Sequence, residues 1–397
     1  MELLKPASDF VLLLLAVPAL ISAGYLLFLT LLSGKLPLLR SRHRQLRFDV
    51  IVPAHNESAV IGRTISSLKR IDWPADRFRI LVCADNCTDS TAQKAREAGA
   101  TVLERTDPLR RGKGYALDCT FVASLSAGLA DAVVVVDADT EVSANLLDAI
   151  AARLENGAQA AQVHYGVLNP MASWRTRLFT IATGAVHILR SRARDRLSLS
   201  CGIRGTGWCV THQVLRRVPY RAYSLTEDVE YGIDLGLAGI IVAYVDEADA
   251  NPEMVSGEQG ARTQRQRWER GRFQLIRAKT GQLLVAAWQR RSLPCLDLAL
   301  DLLVPPISYV ALNIILLLSI GAAATYWLAV SRIWLWLAEG SALAVIIYVL
   351  RGWHLSEVGL RGVVDLACAP IFLVWKLRLL LSRGRSNEWT RTERERP

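Results

Sequence analysis

Residues 132–139 read AVVVVDAD, a run of apolar β-branched residues that ends in two carboxylates one position apart. Similar apolar runs come earlier in the chain, at 48–54 (FDVIVPA), 78–84 (FRILVCA) and 101–103. Helical stretches separate these runs, at 58–69, 89–98 and 112–126. This βαβ alternation with near-continuous hydrophobic strands predicts an α/β domain, a mostly parallel sheet with helices on both faces.

Polar segments follow three of the predicted strands, at the edge where parallel sheets bind ligands. They are PAHNE (53–57), ADN (84–86) and DAD (137–139). Asp137 and Asp139 suit a hard divalent cation, because Mg²⁺ binds through one or two carboxylates plus substrate phosphates. Asp85 suits a hydrogen bond to a ribose or a base. The simpler alternatives are an Asp that caps the next helix and an Asx turn at Asp85.

Two further motifs carry charge. The loop RRGKG (110–114) precedes a predicted helix, and because Lys and helix N-termini attract phosphate, Lys113 is a candidate phosphate ligand. The GxxxxGK[ST] spacing is missing, so a solvated basic loop is the alternative.

The triplet TED (226–228) precedes another helical run, where Thr226 would cap the helix and the acids favour its N-terminus. The functional alternative makes Asp228 a general base.

The segment QRQRW (264–268) offers an amide, a guanidinium and a large aromatic surface together. On a helix, Gln264 and Trp268 share a face, while Arg267 suits phosphate and Trp268 suits stacking on a sugar ring. An amphipathic helix with a tryptophan at a membrane interface is the simpler interpretation, given the nearby Lys and Arg residues.

Long uncharged runs indicate a membrane protein. They cover Phe10 to Gly34, Leu302 to Ser331, and Ile333 to Leu350 with Glu339 as the one charge. Each approaches or exceeds the roughly 20 residues that cross a bilayer. An uncleaved anchor is expected at the N-terminus, and the shorter run from Leu366 to Trp375 is expected to be interfacial or re-entrant.

The net charge of +10 is concentrated beside these runs: residues 35–47 contain five basic residues and no acid, and the tail 376–397 is also basic. The excess of Lys and Arg predicts that these segments face the cytoplasm.

Seven cysteines without a CxxC pair indicate neither a zinc site nor a disulfide framework. No nucleic-acid-binding module is recognisable, so nucleic acid is not an expected partner.

Taken in order, PAHNE, Asp85, DAD, TED and QRQRW resemble the membrane-integrated family 2 glycosyltransferases, which include cellulose, hyaluronan, chitin and poly-N-acetylglucosamine synthases. The resemblance covers roughly residues 45–290. It implies a GT-A type nucleotide-sugar-binding domain, an inverting reaction and Mg²⁺ or Mn²⁺ as the cofactor. The predicted division of the chain is 10–34 (transmembrane), 45–257 (GT-A domain), 258–300 (QxxRW and interfacial helices), 302–331 and 333–350 (transmembrane), 363–382 (interfacial or re-entrant) and 383–397 (basic cytoplasmic tail).

The resemblance also implies roles for individual residues. Asp228 would be the catalytic base, and Asp139, with Asp137, would hold the metal. The expected donor and nucleotide contacts are Pro53, Ala54, His55, Glu57, Asp85, Lys113 and Asp137. The expected diphosphate and acceptor contacts are Gln264, Arg267, Trp268, Glu227, Thr226, Gly205 and Thr206. The glycine-rich segment 201–207 would permit a close approach of the acceptor, or is a plain turn.

The expected function is transfer of a sugar from a nucleotide diphosphate sugar to a growing polysaccharide or glycan at the cytoplasmic face of a bacterial inner membrane. Single-sugar transfer to a lipid-linked acceptor is the alternative, because the short membrane region would make a narrow channel. A catalytically inactive scaffold subunit is a third hypothesis, which the presence of Asp137, Asp139 and Asp228 disfavours. Expected partners are the donor, the acceptor, membrane lipids, and export or polymerisation subunits.

Overall fold

The computed structural model of the chain describes residues 4–255 and 257–368. These residues divide into two compact units. The first comprises 4–34, Arg177–Ala193 and 300–368, and the second comprises Lys35–Thr176 and Arg194–Ala299. The second unit contains the sheet and every strand-end motif described above.

Within the described residues, one sheet of eight strands runs in the order β3-β2-β1-β4-β7-β6-β8-β5. The strands are β1 (Phe48–Ala54), β2 (Phe78–Asp85), β3 (Thr101–Arg105), β4 (Ala132–Val135), β5 (Thr140–Val142), β6 (Ala160–Tyr165), β7 (Trp208–Thr211) and β8 (Val242–Pro252). β1 pairs in parallel with β2 and β4, and β2 pairs in parallel with β3. This half of the sheet is the parallel α/β pattern predicted from the apolar runs.

In the first half of the domain, helices alternate with strands as predicted. The α-helices of the described residues are α1 (Leu4–Leu31), α2 (Ile61–Lys69), α3 (Thr91–Glu97), α4 (Lys113–Ala127), α5 (Leu146–Glu155), α6 (Trp174–Thr183), α7 (Arg190–Arg196), α8 (His212–Arg217), α9 (Glu227–Leu237), α10 (Glu258–Gln289), α11 (Leu293–Leu303), α12 (Ile307–Leu328), α13 (Ile333–Ser356) and α14 (Leu360–Leu366). A short 3-10 turn, Ala75–Arg77, precedes β2, and a π-helical segment, Gly184–Leu189, joins α6 to α7.

Two hydrophobic cores cover the two faces of the sheet. Because successive side chains of a strand point to opposite faces, Val50 and Val52 enter one core and Ile51 enters the other. Helices α2, α3 and α5 contribute to the first core, and α4, α8 and α9 contribute to the second. With both faces covered, the open edge beyond the strand ends is where polar loops can lie.

The second half of the sheet contains its antiparallel pairs. β7 lies between β4 and β6 and is antiparallel to both, and β5 is antiparallel to β8. The GT-A-like α/β fold is confirmed, with a mixed sheet in which β6 and β8 also pair in parallel. The ladder of β4 also ends at Val135, so Asp137 lies in the loop beyond the strand rather than within it.

In the first unit, three helices are long and apolar enough to cross a membrane: Lys5–Leu31, Ile307–Leu328 and Ile333–Ser356. Polar contacts between helices include Asn313 Nδ2 donating to the carbonyl of Leu15 at 3.0 Å. Most of the predicted interfacial helix at 363–382, and all of the tail 383–397, lie outside the described residues.

Candidate functional site

The ends of β1 and β2 are joined by the histidine of the PAHNE segment. Pro53 and Ala54 are buried as the last residues of β1. The ring nitrogen Nδ1 of His55 lies 2.7 Å from the carbonyl oxygen of Asp85. The backbone amide of Glu57 donates to the hydroxyl of Thr91 at 2.7 Å, which connects the segment to α3. The PAHNE segment and Asp85 therefore form one edge of the site.

Asp85 is buried and paired. Its Oδ1 lies 2.6 Å from Nη1 of Arg105, and it accepts a hydrogen bond of 3.0 Å from the side-chain amide of Asn86. Asp85 and Arg105 are neighbours in the ladder of β2 and β3, so the register of the sheet sets this pair. The Arg105 guanidinium also stacks over the Tyr115 ring, with 5.7 Å from Cζ to the ring centroid. The carboxylate of Asp85 is thus held in one orientation.

The DAD loop is fixed by two contacts from other parts of the chain. The Nζ atom of Lys113, at the start of α4, lies 2.6 Å from Oδ1 of Asp137. The backbone amide of Asp137 donates to the hydroxyl of Thr206 at 2.9 Å. Asp139 follows in the same loop, and its carbonyl accepts a hydrogen bond of 3.3 Å from the amide of Glu253.

The acids of the TED motif open helix α9 and meet the same loops. Glu227 Oε1 lies 3.4 Å from Nζ of Lys113. Asp228 Oδ2 accepts a hydrogen bond from the backbone amide of Gly205. Thr226 occupies the predicted N-cap position, but its hydroxyl makes no capping hydrogen bond. The side chain of Thr226 is instead buried beside Gly271 of α10.

These contacts give the site an unusual charge balance. Burial alone would lower the pKa of Lys113, but the charges of Asp137, Glu227 and Asp228 outweigh burial and raise this pKa, so the amine stays protonated. Burial raises the pKa of Glu227, against the opposing effect of Lys113. One lysine thus balances a group of three carboxylates that lie close together.

Tyr165, the last residue of β6, is a site residue that the sequence did not indicate. Burial raises the pKa of its phenol, and the charges of Asp137, Asp139 and Asp228 act in the same direction. Arg267 opposes them. The phenol therefore lies near these four charged residues, and its ring packs against Gly205. The sequence signal was weak, because a tyrosine in an apolar strand usually indicates core packing.

The QRQRW residues lie on helix α10. Arg267 is close enough to Tyr165 for its charge to lower the pKa of that phenol. Gln264 and Trp268 are half-buried on the same helix, and their predicted contact with a diphosphate or an acceptor stays a prediction. The structure therefore brings together Lys113, Asp137, Thr206, Gly205, Glu227 and Asp228 in one hydrogen-bonded cluster.

The residues fit a divalent cation that is shared with a substrate. Asp137 and Asp139 supply two carboxylates from one loop. Among the described residues, no cluster of three or more His, Cys, Asp or Glu side chains is arranged to hold a metal by itself. Mg²⁺ is commonly bound by one or two carboxylates that are completed by substrate phosphates and water. The chemistry of this donor set suits such a cation and does not suit a closed structural metal site.

Comparison with known proteins agrees with the geometry. A family model described as "Glycosyltransferase like family 2" matches residues 45–271. A probable glycosyltransferase, YdaM, of Bacillus subtilis is 25% identical over 64% of this chain and 61% of its own length. The beta-monoglucosyldiacylglycerol synthase of Synechocystis sp. is 28% identical over 57% of this chain and 47% of its own. The chain thus spans between about half and three-fifths of the length of these curated relatives.

A solved structure shares the fold over nearly the whole chain. It is a mannosyltransferase from Pyrobaculum calidifontis in complex with GDP-mannose and Mn²⁺. The likeness covers 93% of this chain and 99% of that protein, with a TM-score of 0.55 and 17% sequence identity. At this identity the likeness establishes the fold and leaves the substrate open.

Proposed function

Since this chain belongs to the glycosyltransferase-like family 2, we propose that it transfers a sugar from a nucleotide diphosphate sugar to an acceptor hydroxyl, with inversion at the anomeric carbon. The observation that carries the proposal is the cluster in which Lys113 contacts Asp137 and Glu227 while Gly205 holds Asp228. In this cluster one ammonium lies beside the carboxylates that would serve as the metal ligand and the base.

The donor would lie across the carboxyl ends of the strands. Asp85, oriented by Arg105, and the PAHNE segment would contact the nucleoside. The ammonium of Lys113 would contact the diphosphate, with Arg267 approaching from α10. Positive charge at these positions stabilises the negative charge that grows on the leaving nucleotide diphosphate.

Asp137 and Asp139 would hold Mg²⁺ or Mn²⁺ against the diphosphate. When bound, such an ion supplies further positive charge to the leaving group. The protein's own contribution is to fix the loop that carries both carboxylates, through the hydrogen bond from the Asp137 amide to Thr206.

Asp228 would act as the general base. As the acceptor oxygen attacks the anomeric carbon, its proton passes to the Asp228 carboxylate, and the bond from the sugar to the diphosphate breaks with its electron pair on the leaving oxygen. The amide of Gly205 occupies Oδ2 of Asp228, which leaves Oδ1 to receive the proton. Burial raises the pKa of Glu227. When Glu227 is protonated, it adds no negative charge beside the Asp228 carboxylate.

For the acceptor we favour a membrane lipid or a lipid-linked sugar. Support comes from the relative named as a glucosyldiacylglycerol synthase and from three helices that fit membrane association. Extension of a polysaccharide, with export or polymerisation subunits as partners, is the second candidate, because Gln264, Arg267 and Trp268 match the QxxRW pattern of the polymer synthases. The Lys and Arg residues of 35–47 favour a cytoplasmic location for the catalytic unit at a bacterial inner membrane.

The test is a donor and product screen with the purified full chain in lipid nanodiscs. Radiolabelled nucleotide diphosphate sugars are offered with Mg²⁺, Mn²⁺ or a chelator, in discs with and without diacylglycerol. Label in a lipid that carries one sugar supports the favoured acceptor, and label in long glycans supports the second candidate. If every donor remains intact with every acceptor and metal, the proposed function is wrong.

A further inference from the structure

A short loop, Arg204–Gly207, connects the two sides of the proposed reaction centre. The carbonyl of Gly205 accepts a hydrogen bond of 3.1 Å from Lys113 Nζ, and its amide donates to Asp228. The hydroxyl of Thr206 accepts from the amide of Asp137 at 2.9 Å. The positions of the proposed base, the phosphate-binding lysine and the DAD loop therefore all depend on this loop.

The loop is clamped by one buried side chain of β6. Gln162, which is 2% exposed, accepts a hydrogen bond of 2.9 Å from the amide of Arg204 through Oε1. Its Nε2 donates to the carbonyl of Thr206 at 2.8 Å and to the carbonyl of Val163 at 3.0 Å. A neutral amide is suited to this position, because it donates and accepts at the same time.

Close packing and a backbone hydrogen bond surround the clamped part of the loop. Gly205 has a φ of +61°, a left-handed conformation that L side chains rarely adopt. A Cβ at this position would lie 2.6 Å from Cε2 of Tyr165, so the ring packs directly against the loop backbone. The amide of Gly207 donates to Val135 at 2.8 Å, which fixes the end of the loop to β4.

We propose that Gln162 is a positioning residue for sugar transfer. Its amide holds the loop so that Gly205 orients Asp228 and Thr206 orients Asp137. The role of Gln162 rests on the proposed function of these two acids. A misplacement of about 1 Å in a catalytic geometry can lower a rate by about 10²-fold, so the clamp affects turnover more than donor binding.

Two variants test the clamp. Gln162→Met fills a similar volume and removes both hydrogen bonds to the loop, so kcat is expected to fall by about 10²-fold with a smaller change in the KM for the donor. The matched control is Ser124→Ala, because the Ser124 side chain is also fully buried and makes two hydrogen bonds to other side chains. Its Oγ lies 2.6 Å from Asp49 Oδ2 and 2.9 Å from His212 Nε2. Ser124 lies outside the proposed site, so its variant reports the cost of losing buried hydrogen bonds alone.

The Gln162→Glu variant is expected to change how kcat depends on pH. The introduced carboxylate faces the carbonyl oxygens of Thr206 and Val163 when it is ionised, and it can donate to Thr206 only when it is protonated. The ratio of variant to wild-type kcat is therefore expected to rise as the pH falls from about 8 to 5.5. The titratable and charged groups around the loop include Lys113, Asp137, Asp139, Tyr165, Arg204, Glu227, Asp228 and Arg267. They are present in both proteins, so taking the ratio at each pH removes most of their contribution.

Amide hydrogen exchange of the segment 203–208 measures the clamp without any turnover. Faster exchange in Gln162→Met than in Ser124→Ala supports the proposal. Equal exchange, an unchanged kcat relative to Ser124→Ala, or a flat pH ratio for Gln162→Glu overturns it. If the wild-type protein transfers no sugar from any donor, the proposed function fails, and the exchange comparison still decides whether Gln162 holds the loop.

Discussion

The ammonium of Lys113 lies 2.6 Å from Oδ1 of Asp137 and neutralises the first carboxylate of the DAD loop. The same ammonium lies 3.4 Å from Glu227. A bound diphosphate would attract Lys113 away from Asp137 and leave this carboxylate available for a cation. Donor binding and metal binding are therefore expected to be coupled through one side chain.

Replacing Lys113 by Gln should separate metal binding from turnover. Without the lysine charge, the acids of the site attract a divalent cation more strongly, so Mn²⁺ should bind more tightly in the absence of a donor, as measured by calorimetry. Transfer should fall by about 10²- to 10³-fold, because the leaving diphosphate loses a preorganised positive group.

Lys279→Gln is the matched control for that measurement. Lys279 Nζ pairs with Asp234 Oδ1 at 2.5 Å on the helices α10 and α9, and its loss changes the net charge equally. If both variants bind Mn²⁺ with the same affinity, the coupling through Lys113 is wrong.

Asp228→Asn should abolish most of the transfer while nucleotide binding survives. The amide oxygen can still accept the hydrogen bond from Gly205, so the loop geometry is kept while the base is lost. Removal of a general base typically lowers a rate by about 10²- to 10⁴-fold. Released nucleotide diphosphate measures the rate, and titration with a nucleotide diphosphate measures binding.

For Asp228, the control is Asp234→Asn on the same helix. Asp234 pairs with Lys279, and its removal should leave the rate of transfer near that of the wild type. Turnover in Asp228→Asn equal to that of the control would show that another group removes the proton.

Arg105→Met should weaken donor binding more than it slows the chemical step. The guanidinium is the partner that orients the buried Asp85 carboxylate, and hydrogen bonds to charged groups contribute roughly 1.5–3 kcal/mol. The KM for the donor should therefore rise by about tenfold or more, with a smaller change in kcat. Steady-state kinetics with varied donor concentration separate the two constants.

Arg96→Met is the comparison for Arg105, since Arg96 pairs with Glu104 at the exposed surface near β3. Exposed ion pairs contribute little, so this variant should keep the wild-type KM. Equal donor KM values for the two variants would contradict a role for Arg105 in holding Asp85.

The positions of the residues that follow the parallel strands could be predicted from the sequence, because they depend on local patterns. An apolar run defines a strand, and a parallel sheet brings the residues after each strand to one edge. Asp85 and Asp137 could therefore be assigned to the same region without a structure. The same reasoning does not reach Arg105, whose pairing with Asp85 depends on the register between β2 and β3.

The rest of the site depends on contacts that no local pattern contains. β7 is only four residues long and inserts antiparallel between β4 and β6. This insertion carries the loop with Gly205 to a position between Asp137 and Asp228. Gln162 and Tyr165 lie in a strand with mostly buried residues, where periodicity alone indicates core packing.

At the other end of the sheet strands, a buried polar network contains the charge pair of Asp49 and Arg79. The guanidinium of Arg79 donates to both carboxylate oxygens of Asp49, at 2.9 and 2.7 Å. Ser124 Oγ lies 2.6 Å from Asp49 Oδ2 and 2.9 Å from His212 Nε2. Because the single hydroxyl proton of Ser124 goes to the carboxylate, Nε2 of His212 carries the proton that is donated to Ser124. The imidazole is therefore the hydrogen-bond donor in this pair.

This arrangement predicts a loss of stability in mild acid. Burial lowers the pKa of His212 below its ordinary value of 6.5, and Asp49 only partly opposes this effect. As the pH falls below 6.5, His212 takes up a proton in the unfolded chain before it does so in the folded protein. The free energy of unfolding should therefore decrease as the pH falls, until the pH is below the pKa of His212 in the folded protein. The decrease is at most about 1.4 kcal/mol per pH unit. Thermal unfolding at a series of pH values measures this, and His212→Gln, whose amide can still donate to Ser124, should flatten the dependence. His43→Gln removes an exposed histidine and should leave the wild-type curve unchanged, whereas parallel curves for wild type and His212→Gln would show that this histidine does not control the acid response.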